Sequence, residues 1–167
     1  VADRIHDYLL TTSVQTGASY VHSQRASARL AEARARIALF MGARRPEEIV
    51  FGPSTTALVQ YLARAMAYQF KPGDEVIVTR FDHESNIGAW LGLEALGVVV
   101  KFWEIDKEGF EIRLDALERL LSPRTRLVAV THVSNILGTI HPIAEIAKLV
   151  HAHGAKIVVD GVAYAPH

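Results

Sequence analysis

The sequence has no cysteine, which excludes disulfides and thiolate-held metals within these residues. It also lacks any run approaching the ~18 apolar residues of a membrane span. The first residues, VADRIHDYLL, carry neither the basic start nor the apolar stretch of a signal peptide. The default compartment is therefore the cytoplasm. There is no initiator methionine, and the chain opens straight into helical pattern, so we expect a piece of a longer protein. Net charge is absent as well, since 18 Lys and Arg balance 18 Asp and Glu. Without a basic excess, a nucleic-acid partner is not expected. One basic cluster, Arg25, Arg29, Arg34 and Arg36, falls on a predicted helix. Glu32 can pair there with Arg36 four residues on, and the cluster reads as a solvated face.

What the chain does have is apolar residues, 50% of 167, enough to bury a substantial core. An N-terminal helical segment, 1–45, contains a first helix and a second over about Ala26 to Met41. Between them lies the polar, turn-rich TTSVQTGASYVHSQR. The second helix has Ala26, Leu30, Ala33, Ile37 and Phe40 at helical spacing and Gly42 as its left-handed cap. From 46 to 167 short runs rich in Val and Ile alternate with amphipathic segments. Strands are expected at Ile49–Phe51, Glu75–Thr79, Val98–Trp103, Leu127–Thr131 and Ile157–Val159. Helices are expected at 55–69, 85–96, 114–121 and 142–153. Strand runs apolar throughout, such as VIV and LVAV, suit a sheet covered on both faces. Alternation with helices of this length implies crossover connections. The expected fold class is α/β, a three-layer α/β/α sandwich with a mostly parallel sheet.

Ligands in such sheets collect beyond the carboxyl ends of the strands. The segments following the predicted strands are GPSTT, RFDHESN, HVSN and DGVAYAPH. Ser54-Thr55-Thr56 opens a helix, where unpaired N–H groups and hydroxyls suit a phosphate, although Ser and Thr are equally favoured there as caps. His83 is either a hydrogen-bonded structural residue or a ring that lies on a planar cofactor with a nitrogen free for acid–base work. Asn135 either fixes a turn or offers its amide to a ligand oxygen. Asp160, at the end of an apolar strand, needs a cation or several donors, supplied by a structural ion pair or by a ligand. His132, Asp160 and His83 share this edge, but no metal-binding spacing accompanies them and no metal site is expected.

PEEIVFGPSTTALVQ, GDEVIVTRFDHESNIGAW and RTRLVAVTHVSNILGTIHPIAEIAKLVHAHGAKIVVDG together resemble the class V aminotransferases, most of all their cysteine desulfurase-like branch. The resemblance covers the chain from about Ser23 onward. It implies the large domain of an aspartate-aminotransferase-type enzyme (fold type I), with a seven-stranded, mostly parallel sheet. It also implies a homodimer, an amino-acid substrate and the cofactor pyridoxal 5'-phosphate (PLP). By position, Thr55 and Thr56 would hold the phosphate, and His83 would stack on the ring. Asn135 would bond near the phenolic oxygen or the substrate, and Asp160 would pair with the ring nitrogen. Desulfurases of this type read DGAQ where this chain reads DGVA, so Ala163 lacks the glutamine's hydrogen bond, which suits a divergent, desulfurase-like subgroup. Lys71, Lys101, Lys107, Lys148 and Lys156 match no Schiff-base motif. That lysine, like the desulfurase cysteine, would lie beyond His167. The competing reading is a non-enzymatic phosphate- or nucleotide-binding α/β module built on the Ser54–Thr56 helix start.

Overall fold

The computed structural model describes residues 1–106 and 108–165; Lys107 and His167 lie outside them. Two compact units divide at Phe51 and Gly52.

The first unit holds α1 (Ala2–Thr11), α2 (Val21–Met41) and a short 3-10 turn at Pro46–Glu48. Helix α2 begins five residues before the expected Ala26. Its polar first turn is tolerated because Ser23 Oγ accepts the Ala18 N–H at 2.9 Å and the Gln24 side chain donates to Ser19 O at 2.9 Å. Gly42 ends it at φ 67°, the left-handed conformation that glycine adopts without penalty. The basic cluster is partly neutralised: Arg29 pairs with Asp7 and donates to Thr12 Oγ1 at 2.8 Å, and Arg36 pairs with Glu32 at 2.6 Å.

The second unit is the α/β portion. It contains α3 (Thr55–Met66), β1 (Glu75–Thr79), α4 (Glu84–Leu91), β2 (Val99–Trp103), α5 (Leu114–Leu120), β3 (Thr125–Thr131), α6 (Ile143–Ala152) and β4 (Lys156–Asp160). Helices α3 and α4 each tighten into a 3-10 turn, Ala67–Gln69 and Gly92–Leu96. The four strands form one sheet in the order β2-β1-β3-β4, with every ladder parallel. Alternating side chains feed two cores, as a sheet buried on both faces requires. Val76, Val78, Leu127 and Ala129 pack with Ala63, Ile87, Trp90 and Leu93 of the α3–α4 side. Ile77, Val128 and Val130 pack with Leu117, Ile146, Val150 and Trp103 on the other. Trp90 and Trp103 are fully buried, each worth at most roughly 5 kcal/mol at ~200 Å² removed from water.

Ile49–Phe51 is not a strand. No ladder takes it up among the described residues, and Val50 and Phe51 stay 69% and 44% exposed. The 3-10 turn just before it leaves only a short extended link with no neighbour to pair with. Ser54 to Thr56 therefore follow a loop rather than a sheet strand.

The strand order places the site. The chain leaves β1 for β2 on one side, then crosses back over β1 to reach β3 on the other. That reversal opens a crevice at the carboxyl ends of β1 and β3, where parallel sheets bind ligands. Thr131 is in register with Asp160, so β3 and β4 end level beside it.

Candidate functional site

A cavity of about 290 Å³ occupies this crevice, lined by Thr55, Thr56, His83, Ser85, Thr131, Val133, Asn135, Asp160, Val162 and Ala163. All five residues singled out from the sequence as possible cofactor contacts thus meet in one cavity.

At the start of α3, Ser54 is the cap. Its Oγ accepts the Ala57 N–H at 3.2 Å, and its carbonyl takes the Leu58 N–H at 3.0 Å. Helix geometry leaves the Thr55 and Thr56 N–H groups without an intrahelical acceptor. Capping and anion binding were rival readings of this tripeptide; Ser54 is the cap, and the two threonines, which do not cap, line the cavity. Gly52, just before them, leaves room for the Leu58 side chain, which would have to shift from a Cβ placed 2.5 Å away.

His83 caps α4. Its Nδ1 accepts the Ser85 N–H at 3.1 Å and lies 2.8 Å from Ser85 Oγ. Accepting from that amide puts the proton of the neutral ring on Nε2. Asp82, one residue earlier, accepts from the His83 N–H at 2.8 Å and from Asn86 Nδ2 at 2.8 Å. Burial pushes the Asp82 carboxyl up from its ordinary value. The bonds from Asn86 and His83 oppose that rise, and the charge of Asp160 adds to it.

The loop after β3 is fixed by Ser134 rather than Asn135. Ser134 is buried; its Oγ accepts from Leu137 N–H at 3.1 Å, and its carbonyl takes the Gly138 N–H at 2.9 Å. No described residue hydrogen-bonds the Asn135 side chain, which lies exposed in the cavity wall. The turn-former reading of Asn135 is therefore corrected by its neighbour.

Asp160 ends β4 half-buried. Its Oδ1 accepts the Val162 N–H at 2.9 Å. Among the described residues no Lys, Arg or His pairs with it, so the structural ion pair that would have explained it is absent. His132 does not line the cavity and stacks on Tyr164, centroids 3.7 Å apart. No group of three metal-ligating side chains occurs among the described residues.

Sequence reasoning did not single out Thr131, Ser85 or Asp82. Thr131 reads as one more β-branched strand residue, and its hydroxyl donates to Val133 O at 2.9 Å. The signal for Asp82 was only its adjacency to His83.

The profile of the family described as Aminotransferase class-V matches residues 1–167. The chain belongs to the class-V aminotransferase family. Its relatives include an aminotransferase-like protein of Gibberella zeae, 47% identical over 98% of this chain and 40% of its own length. A cysteine desulfurase of Dickeya dadantii is 39% identical over 100% of this chain and 41% of its length. Among solved structures, the apo cysteine desulfurase of Thermococcus onnurineus superposes at a TM-score of 0.90. It is 34% identical and covers 99% of this chain and 41% of that one. The chain thus spans about 40% of the length of these relatives. The alternative of a non-enzymatic phosphate or nucleotide module finds no support among them.

Proposed function

We propose that this chain is the cofactor-domain portion of a PLP-dependent, fold-type I enzyme acting on an amino acid, cysteine desulfurase-like in kind. Residues 46–167 would belong to its PLP-binding large domain. The single observation that carries the reading is one cavity with opposite demands at two places in its wall. The amides and hydroxyls of Thr55 and Thr56 call for an anion, and the unpaired carboxylate oxygen of Asp160 calls for a cationic donor. PLP combines a phosphate with a basic ring nitrogen, so the donor set fits it. Thr55 and Thr56 would hold the phosphate, His83 would lie against the ring, and Asp160 would accept from the protonated nitrogen. Asn135 would donate its amide near the phenolic oxygen or the substrate.

PLP, when bound, supplies a protonated ring that takes up the electron pair released at a substrate α-carbon. The chain's own part is to bind, orient and charge-balance. The Asp160 carboxylate keeps the ring proton in place, and the His83 Nε2–H, with Nδ1 occupied by the Ser85 N–H, is available as a hydrogen-bond donor. Val133, Val162 and Ala163 provide an apolar flank. No lysine among 71, 101, 148 and 156 lines the cavity. Lys101 is engaged with Glu75, and Lys156 donates to Gln69. The reading therefore assigns the Schiff-base lysine to sequence beyond this chain. Ala163, where desulfurases carry glutamine, favours a desulfurase-like member over a strict desulfurase. Transferase and lyase reactions (transamination, epimerisation, β-elimination, desulfuration) share this frame.

The same reading includes a cytoplasmic homodimer. Leu39, Phe40 and Met41 stay exposed on the first unit and supply apolar surface that another subunit could cover. Sedimentation of the full-length protein as a monomer at micromolar concentration would remove that part.

The test of the cavity is a fluorescence titration of the full-length protein with PLP and with pyridoxal, which lacks the phosphate. PLP should bind on the order of a hundredfold more tightly, since charge-assisted hydrogen bonds to an anion are each worth about 1.5–3 kcal/mol. Thr56→Val should narrow that ratio. Equal affinities for the two ligands would take Thr55 and Thr56 out of the site.

A further inference from the structure

Asp82 lies outside the cavity lining, one residue before His83. Both of its oxygens are engaged: Oδ1 accepts the His83 N–H at 2.8 Å, and Oδ2 accepts from Asn86 Nδ2 at 2.8 Å and from Thr79 Oγ1 at 3.4 Å. Thr79 is fully buried and Asn86 is 1% exposed. The carboxylate therefore ties the end of β1 to the first turn of α4, and the backbone of His83 is anchored to it. This arrangement is not needed to cap α4, because His83 Nδ1 already accepts the Ser85 N–H. It also costs something. Asn86 gives its amino group to Asp82 and leaves its own Oδ1 buried with no partner among the described residues, while the carboxylate sits where burial disfavours its charge. A costly contact that the helix does not require, aimed at the one residue carrying an imidazole into the cavity, points to that imidazole as its purpose.

We propose that Asp82 is a positioning residue for the cofactor ring: it holds the His83 backbone, and through it the imidazole, in place at the cavity wall. The inference rests on the PLP reading of the cavity and adds a residue to it. Asp82 touches neither ring nor substrate; its whole effect passes through His83.

A double-mutant cycle on the full-length protein tests this, with the PLP dissociation constant from fluorescence titration as the readout. Asp82→Ala and His83→Ala should each weaken PLP binding by on the order of tenfold, the loss of about one well-placed interaction. The double variant should lose no more than His83→Ala alone, because contributions along one path do not add. Asp82→Asn should stay within about threefold of the parent. Its carbonyl still accepts the His83 N–H, and Asn86 can turn its unpaired Oδ1 toward the new amide. Additive losses in the double variant, parent-like binding by Asp82→Ala, or an Asp82→Asn loss as large as that of Asp82→Ala would each overturn the inference. If Asp82→Ala does not fold, Asp82→Ser, too short to reach Asn86, takes its place under the same criteria. A parent protein that binds no PLP removes the cavity reading and this inference together. A parent that binds it, with additive losses, removes the inference alone.

Discussion

On the proposed PLP reading, replacing Asp160 with alanine in the full-length protein is expected to lower amino-acid turnover roughly a hundredfold, about 3 kcal/mol of lost stabilisation at the reacting centre. PLP affinity should fall by less. The physical basis is the position of the carboxylate. It ends a parallel strand at the crevice, has one oxygen held by the Val162 N–H, and has no cation of its own among the described residues. A ring nitrogen protonated against it can accept electron density that a neutral ring accepts poorly. Asp160→Asn separates the charge from the loop geometry, because an amide oxygen can still take the Val162 N–H. Both variants should be slow, and only the alanine variant should also lose about 1 kcal/mol of stability. Turnover at the parent rate in both would mean that Asp160 serves the loop and not the chemistry.

The second large effect lies at the opposite end of the sheet. Glu75, at the start of β1, is only 2% exposed in its side chain. It is held by Lys101 Nζ at 2.7 Å, Ser122 Oγ at 2.6 Å and Thr125 Oγ1 at 3.1 Å, with Arg124 at 3.4 Å. Burial pushes its carboxyl up, but the bonds from Lys101, Ser122 and Thr125 outweigh burial and hold it below its ordinary value of 4.5. A carboxylate depressed in the folded state contributes stability above that ordinary value and loses it as pH falls toward and below it. Lys101→Met strips the principal cation from a buried charge and should cost about 3 kcal/mol at neutral pH by urea unfolding. The gap between parent and variant should shrink as the pH is lowered through the region of 4.5. PLP affinity should not change, because the pair sits at the end of the strands away from the cavity. An unfolding midpoint unmoved at neutral pH would contradict this account of Glu75.

Much of the α/β portion was legible in the sequence because its signal is local. VIV at 76–78 and LVAV at 127–130 suit strands covered on both faces, and the two cores use their alternate side chains as that reading requires. Where the reading failed, the deciding contact was not local. Ile49–Phe51 has a strand's composition but no neighbour to pair with. The polar residues ahead of Ala26 resemble a turn, yet side-chain bonds to the preceding backbone let the helix start at Val21. The candidate site was legible in its membership, since Thr55, Thr56, His83, Asn135 and Asp160 all follow predicted strand or loop ends. Their meeting depends on the β2-β1-β3-β4 order, which no local pattern carries. The supporting roles were invisible for a different reason. That Ser134 and not Asn135 fixes its turn, and that Asp82 anchors His83, depend on which nearby backbone N–H each side chain accepts, which residue identity does not specify.

The most direct check on the central claim is a crystal structure of the full-length protein grown with PLP. The account predicts density in the β1–β3 crevice, with the phosphate on the Thr55 and Thr56 amides and hydroxyls, the imidazole of His83 against the ring, and the ring nitrogen within hydrogen-bonding distance of Asp160. A phosphate bound elsewhere, or a ring whose nitrogen faces away from Asp160, would contradict it.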